Sequence, residues 1–132
     1  MKAYTWPALA TLFSLAVYFY TVLRVGSARA KYKVPVPHTT GNEDFERFFR
    51  VQQNTLEQLA FFLPSLWLFS MYISPMWGGI AGGVWAVGRI LYAQGYYVAA
   101  NKRGMGFAIS SLAGLVLWGG ALVGVILTLV RS

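Results

Sequence analysis

The stretch Phe45–Glu57, FERFFRVQQNTLE, opens a long apolar segment yet carries Arg47, Arg50, Gln52, Gln53, Asn54 and Glu57. At about 3.6 residues per turn, Arg50, Asn54 and Glu57 share one narrow helix face. From Gln58 to Gly88 no residue is charged. A cation, an amide and an anion therefore stack at the mouth of an apolar segment, where ionisable groups are costly and mark a site by default. The plainer arrangement is a snorkelling Arg50 with a helix-stabilising pair. Glu57, however, lies about two turns inside and needs a partner of its own.

A second polar face lies in Gly88–Tyr97, GRILYAQGYY, which is followed by Lys102 and Arg103. Arg89, Tyr92 and Tyr96 are spaced three and four apart, so they line up on a helix. Arg89 is the cation set deepest from the basic loops. Two readings stand for it: an intramembrane ion pair with Glu57, or membership of the site. Tyr92 and Tyr96 each call for a polar partner if buried. If the second helix enters from the side to which the third returns, Arg50, Asn54 and Glu57 meet Tyr92, Tyr96 and Arg103. Gln52 points roughly opposite Arg50 and faces a different neighbour. Arg29 and Gln52 fit a cleft between subunits better than one within a single chain.

Several cations suit a ligand with more than one carboxylate. Glu57 suits an amine on the same molecule, and the apolar surroundings suit a second, lipophilic substrate arriving from the bilayer. A peptide-like zwitterion answers this description. The sequence has no cysteine and one histidine, His38, in a loop. Neither a thiolate nucleophile nor a metal site is expected, and no Ser-His-Asp, GxGxxG or P-loop pattern is present.

The elements that must position these residues follow from the composition. Of 132 residues, 57% are hydrophobic and 11% charged, against about 25% charged in a soluble domain. Charge-free runs cover Ala3–Leu23, Gln58–Gly88 and Gly104–Val130, each long enough for the roughly 20 apolar residues of a span. The expected fold is all-α: one integral membrane four-helix transmembrane bundle over residues 1–132. The net charge of +7 comes from residues that flank apolar spans, so membrane lipid rather than nucleic acid is the expected partner.

The first helix begins at Ala3 and ends near Ala28. Its apolar run exceeds the h-region of a signal peptide. A polar loop, Arg29–Asp44, follows, broken by Pro35, Pro37 and Gly41. The second helix spans about Glu43–Ile73, capped by Asn42 and kinked at Pro64. Ser74-Pro75-Met76 makes a tight connection. The third helix covers about Trp77–Ala99, a loop Ala100–Gly104, and the fourth about Met105–Val130. Arg24, Arg29, Lys31, Lys33, Arg47, Arg50, Lys102 and Arg103 cluster at one end; Lys2 and Arg131 lie at the other. The positive-inside bias places the basic loops and the site on the cytoplasmic side and both termini opposite.

In FERFFRVQQNTLE, in GRILYAQGYY with Lys102-Arg103, and in the loop from Ser27 to Gly41, the chain resembles the MAPEG family, membrane-associated proteins in eicosanoid and glutathione metabolism. The resemblance covers nearly the whole chain and lies nearest the glutathione-transferase and leukotriene-synthase branch. It implies a homotrimer with glutathione bound between subunits. Carried over by position, Arg50, Asn54, Glu57, Tyr92, Tyr96 and Arg103 would hold glutathione from one subunit, and Arg29 and Gln52 from the next. Arg103 would stabilise the glutathione thiolate, which attacks lipophilic electrophiles or lipid hydroperoxides.

Three positions depart from the family pattern. Ala60 stands where the family usually has a proline, and Gln58 and Ala30 stand where the leukotriene-synthase branch has a glutathione-contacting tyrosine and a second arginine. They weigh against leukotriene synthesis more than against glutathione binding. The alternative within the same fold is a non-catalytic lipid-binding scaffold. The family's scaffold member lacks the thiolate arginine, and Arg103 is present here. A channel would need polar residues through the membrane, yet after Ser111 the fourth helix offers only Thr128.

Overall fold

A computed structural model describes residues 2–132; Met1, the first residue of the expected single unit, lies outside it. Four helices follow a short 3-10 turn at Lys2–Tyr4: α1 (Thr5–Tyr32), α2 (Glu43–Tyr72), α3 (Pro75–Val98) and α4 (Gly104–Arg131). A second 3-10 turn, Ala100–Lys102, joins α3 to α4. Among the described residues there is no strand. Helices α1 and α4 are long and apolar enough to cross a membrane. The 28 residues of α4 extend about 42 Å, against a hydrocarbon core of about 30 Å. Large apolar side chains such as Leu12, Leu112 and Val116 face outward, the surface that lipid rather than water tolerates. The architecture is the expected four-helix membrane bundle.

The helix ends show why the chain breaks where it does. The Asn42 side chain accepts a hydrogen bond from the Phe45 amide at 2.9 Å, and Glu43, Asp44 and Glu46 fill the first turn of α2, where the helix dipole favours anions. Ser74 caps α3 by accepting from the Trp77 amide at 3.2 Å. Pro75 and Met76 therefore belong to α3 rather than to a connection. A proline in the first turn sacrifices no helical hydrogen bond there. Helix α1 runs four residues beyond its expected end near Ala28, to Tyr32. Lys33 then turns left-handed, at φ 57°, and the Val34 amide donates to the Arg29 carbonyl at 3.1 Å. The breakers Pro35 and Pro37 lie too far along to stop the helix earlier. Arg29 thus sits on α1, not in the loop.

Helix α2 is unbroken across Pro64. The Ser65 hydroxyl donates to the Phe61 carbonyl at 2.7 Å, supplying a donor beside the ladder that proline weakens. The buried stripe of α2 includes Phe45, Phe48, Val51, Thr55, Leu59 and Phe62, one helical face at spacings of three and four. Two apolar clusters result. One, centred on Phe62 stacked on Trp85 with ring centroids 4.0 Å apart, fills the bundle toward the termini. The other joins Phe45, Phe48 and Val51 to Tyr92 and Tyr97 beneath the 33–42 loop. Because the stripe faces inward, Arg50, Asn54 and Glu57 are turned to its flank. The second cluster holds that flank against α3.

Candidate functional site

At the loop end, α2, α3 and the turn before α4 enclose a cleft of about 250 Å³ lined by Arg50, Gln53, Asn54, Glu57, Tyr92, Tyr96 and Arg103. Each element contributes for a local reason. Arg50, Asn54 and Glu57 come one turn apart along α2. Tyr92 and Tyr96 come one turn apart along α3, their rings meeting edge to face at 5.5 Å and 75°. Arg103 is delivered by the 3-10 turn. Its Nη1 donates to the Ala100 carbonyl at 2.6 Å, and its guanidinium carbon lies 5.7 Å from the Tyr96 ring centre.

The turn can sit so close only because residue 95 is glycine. A Cβ there would overlap the Lys102 carbonyl. Likewise a Cβ at Gly106 would overlap the Tyr92 backbone, so α4 lies directly on the main chain of α3. A neighbouring hollow of about 390 Å³ shares Asn54, Tyr92 and Arg103 and adds Asn101, Gly104 and Phe107. The shared residues therefore face two openings, one mainly polar and one extending along α4.

Arg89 lies behind this wall, 1% exposed. Its Nη2 donates to Asn54 Oδ1 at 2.8 Å and to Thr55 Oγ1 at 2.9 Å. Its guanidinium carbon rests 4.0 Å from the Tyr92 ring centre. The ion pair with Glu57 does not form. Among the described residues the one salt bridge joins Arg47 to Asp44. The reason is register: Arg89 meets α2 at Asn54 and Thr55, nearer the loop end, while Glu57 turns outward into the cleft.

The cleft thus gathers six of the eight expected site residues: Arg50, Asn54, Glu57, Tyr92, Tyr96 and Arg103. The other two point elsewhere. Arg29 donates from Nη1 to the His38 carbonyl at 2.7 Å, and its guanidinium carbon lies 4.9 Å from the Phe45 ring centre. Gln52 reaches toward the Tyr18 hydroxyl, at 3.5 Å. Sequence reasoning placed Gln52 opposite Arg50, and its neighbour is indeed a different helix. It overlooked Gln53 as a lining residue. It also overlooked Thr55, whose spacing of four from Val51 marks a buried position. Arg50 and Arg103 against a single lining carboxylate, Glu57, leave the walls net positive, with the Arg89 charge behind them. Such a site suits an anionic or zwitterionic ligand, held by charge-assisted hydrogen bonds.

A second arginine cluster, which the sequence did not single out, lies on the other flank of α3. Arg24 Nη1 donates to the Tyr20 hydroxyl at 2.6 Å. Its guanidinium carbon lies 4.7 Å from the Tyr97 ring centre and 5.2 Å from that of Phe48.

A four-helix membrane bundle with a cation-lined cleft at one end defines an integral membrane protein with a polar recess at the edge of an apolar phase. The chain belongs to the MAPEG family, whose pattern it matches over residues 7–123. It is 59% identical over 121 residues to an uncharacterized protein of Synechocystis, covering 92% of this chain and 88% of that one. It is 42% identical over 103 residues to human microsomal glutathione S-transferase 2, covering 78% and 70% of the two chains. It is 35% identical over 96 residues to bovine leukotriene C4 synthase, covering 73% and 64%.

Proposed function

We propose that the protein is a membrane-bound glutathione transferase. The observation that carries this reading is the convergence of Arg50, Asn54, Glu57, Tyr92, Tyr96 and Arg103 on one cleft. The names of the transferase and synthase relatives support it. Arg50 and the Asn54 amide bind the carboxylates and peptide carbonyls of glutathione, and Glu57 binds its ammonium group. The tyrosines wall the ligand in.

Arg103 takes the sulfur end. A free thiol has a pKa of about 8.5, so little of it is ionised at neutral pH; a fixed guanidinium beside it favours the thiolate. The thiolate attacks an electrophilic carbon, the C–S bond forms, and the leaving group departs with the electron pair. The thiol proton goes to water, and Arg103 stays protonated throughout. With a lipid hydroperoxide the same sulfur attacks the outer oxygen and the O–O bond breaks. A second glutathione then completes the disulfide, yielding alcohol and water. The lipophilic substrate enters through the hollow along Gly104 and Phe107, and no metal takes part.

The working unit is a homotrimer in which Arg29 and Gln52 of a second copy complete the cleft, lying in the membrane with the basic loops cytoplasmic. Arg29 already spans several loop carbonyls and retains further N–H groups for a ligand.

The test is direct. Purified protein in detergent, given glutathione and 1-chloro-2,4-dinitrobenzene, forms the conjugate; given a fatty-acid hydroperoxide, it forms the alcohol. Failure with every electrophile and hydroperoxide, while fatty acid still binds, would leave the lipid-binding scaffold as the function.

A further inference from the structure

Arg89 is the buried charged group that the proposed chemistry does not use. It has no carboxylate partner, and its Nε and Nη1 have no partner among the described residues. Burying a guanidinium in a membrane bundle without an anion is costly, so its placement asks for a purpose at the cleft it adjoins.

Arginine has five donors and no acceptor. The Asn54 atom that meets it must therefore be the amide oxygen, whichever way the amide would turn if left alone. The Thr55 hydroxyl oxygen is drawn to the same Nη2, which stops Arg89 from following Asn54 if that side chain rotates. The stack on Tyr92 holds the guanidinium plane from the other side. With its oxygen turned to Arg89 behind the wall, Asn54 presents its two amide N–H groups to the cleft.

We infer that Arg89 is a positioning residue that fixes the polarity of Asn54, so that this point of the cleft accepts only a hydrogen-bond acceptor: a carbonyl or carboxylate oxygen of the peptide ligand. The inference rests on the glutathione reading for the identity of the ligand, but not for the Arg89–Asn54 contact itself. Asn54 also borders the hollow shared with Arg103. A donor fixed there holds the peptide so that its sulfur reaches the guanidinium instead of the rest of the cleft.

The experiment compares wild type, Asn54→Asp, Asn54→Ala, Arg89→Met, Arg89→Lys and the Asn54→Ala/Arg89→Met double variant in detergent, by ligand-free thermal unfolding and by calorimetric titration with glutathione. Asn54→Asp keeps an oxygen for Arg89 and removes the donor. It should unfold no earlier than wild type and bind glutathione about tenfold more weakly, the loss of one hydrogen bond to a charged or strongly polar acceptor. Arg89→Met should weaken glutathione binding by a similar factor, and Arg89→Lys should recover part of it. In the unfolding cycle the double variant should lose less than the sum of the two single losses.

Strict additivity of the unfolding shifts overturns the contact, with or without ligand, and so rejects the inference. It also falls if Asn54→Asp binds glutathione as wild type does. Should Arg89→Met fail to fold, the Asn54→Asp titration and the Arg89→Lys comparison decide the matter alone. A wild-type protein that binds no glutathione rejects the parent reading and the peptide part of this one. That result is seen without any variant, so the two failures are told apart.

Discussion

Arg103 and Arg24 both sit at the loop end, and both lie near aromatic rings, yet the structure treats them differently. Arg24 is closed in: Tyr20, Phe48 and Tyr97 surround it, and the Tyr20 hydroxyl takes its Nη1. Arg103 touches one ring and the carbonyl of its own turn. The rest of its guanidinium opens on a cleft shared with Glu57 and Arg50. The lesson concerns what surrounds a charge. A cation stacked on several faces has its donors directed and its solvation replaced, so it stabilises the fold. A cation with one neighbour and an adjoining hollow still has donors to give.

The sharpest way to break this comparison is at Arg103. Replacing it with Ala should lower glutathione-dependent turnover by about 10²–10³, the usual effect of losing a donor at a developing or stabilised charge, while glutathione affinity falls far less. The sign of the pH effect follows. Without the guanidinium the bound thiol ionises at higher pH, so the midpoint of the rate profile should rise toward the free value of about 8.5. Rapid-mixing measurements of thiolate absorbance check both. Unaltered thiolate formation in the variant would remove Arg103 from the chemistry.

A smaller effect is expected one step back, at Gly95. An alanine there meets the Lys102 carbonyl and must push the turn, and Arg103 with it, away from Tyr96. Turnover should drop by about tenfold, since small misplacements of a catalytic group are costly, with glutathione binding by the α2 residues nearly retained. Equal losses in both would show that the turn also shapes the binding half of the cleft.

The smallest effect on activity should come from Arg24. Arg24→Leu should leave kcat and KM for glutathione within about twofold, yet destabilise the detergent-solubilised protein by about 1–2 kcal/mol through the lost cation–π contacts. Thermal unfolding beside steady-state kinetics reads both. A tenfold change in KM would erase the distinction between the two arginines.

Much of this arrangement was legible from the chain because polar residues in apolar segments are few, and each must be accounted for. Arg50, Asn54 and Glu57 declared a face by spacing, and the return of α3 to the same end fixed which residues they would meet. What could not be read was helix rotation and axial register to within a turn. That is why the chain alone leaves Arg89 between an ion pair with Glu57 and membership of the site, whereas in the structure it meets Asn54 and Thr55. Likewise the end of α1 depends on Lys33 adopting a left-handed conformation, for which lysine carries no signal. The Arg24 cluster escaped notice because a basic residue at a membrane boundary already has an ordinary explanation.

Gly106 rests against the backbone of Tyr92 with no side chain between them, and this divides the cleft into two kinds of wall. On α2, each lining residue hangs from a helix separated from its neighbours by ordinary side-chain packing. Individual positions there can drift and retune the ligand one contact at a time. The α3–α4 wall is welded main chain to main chain. A single added methyl at 106 would shift Tyr92 and the turn carrying Arg103 together. New substrate preferences should therefore be sought by varying α2 and the outer face of α4, with the weld left untouched.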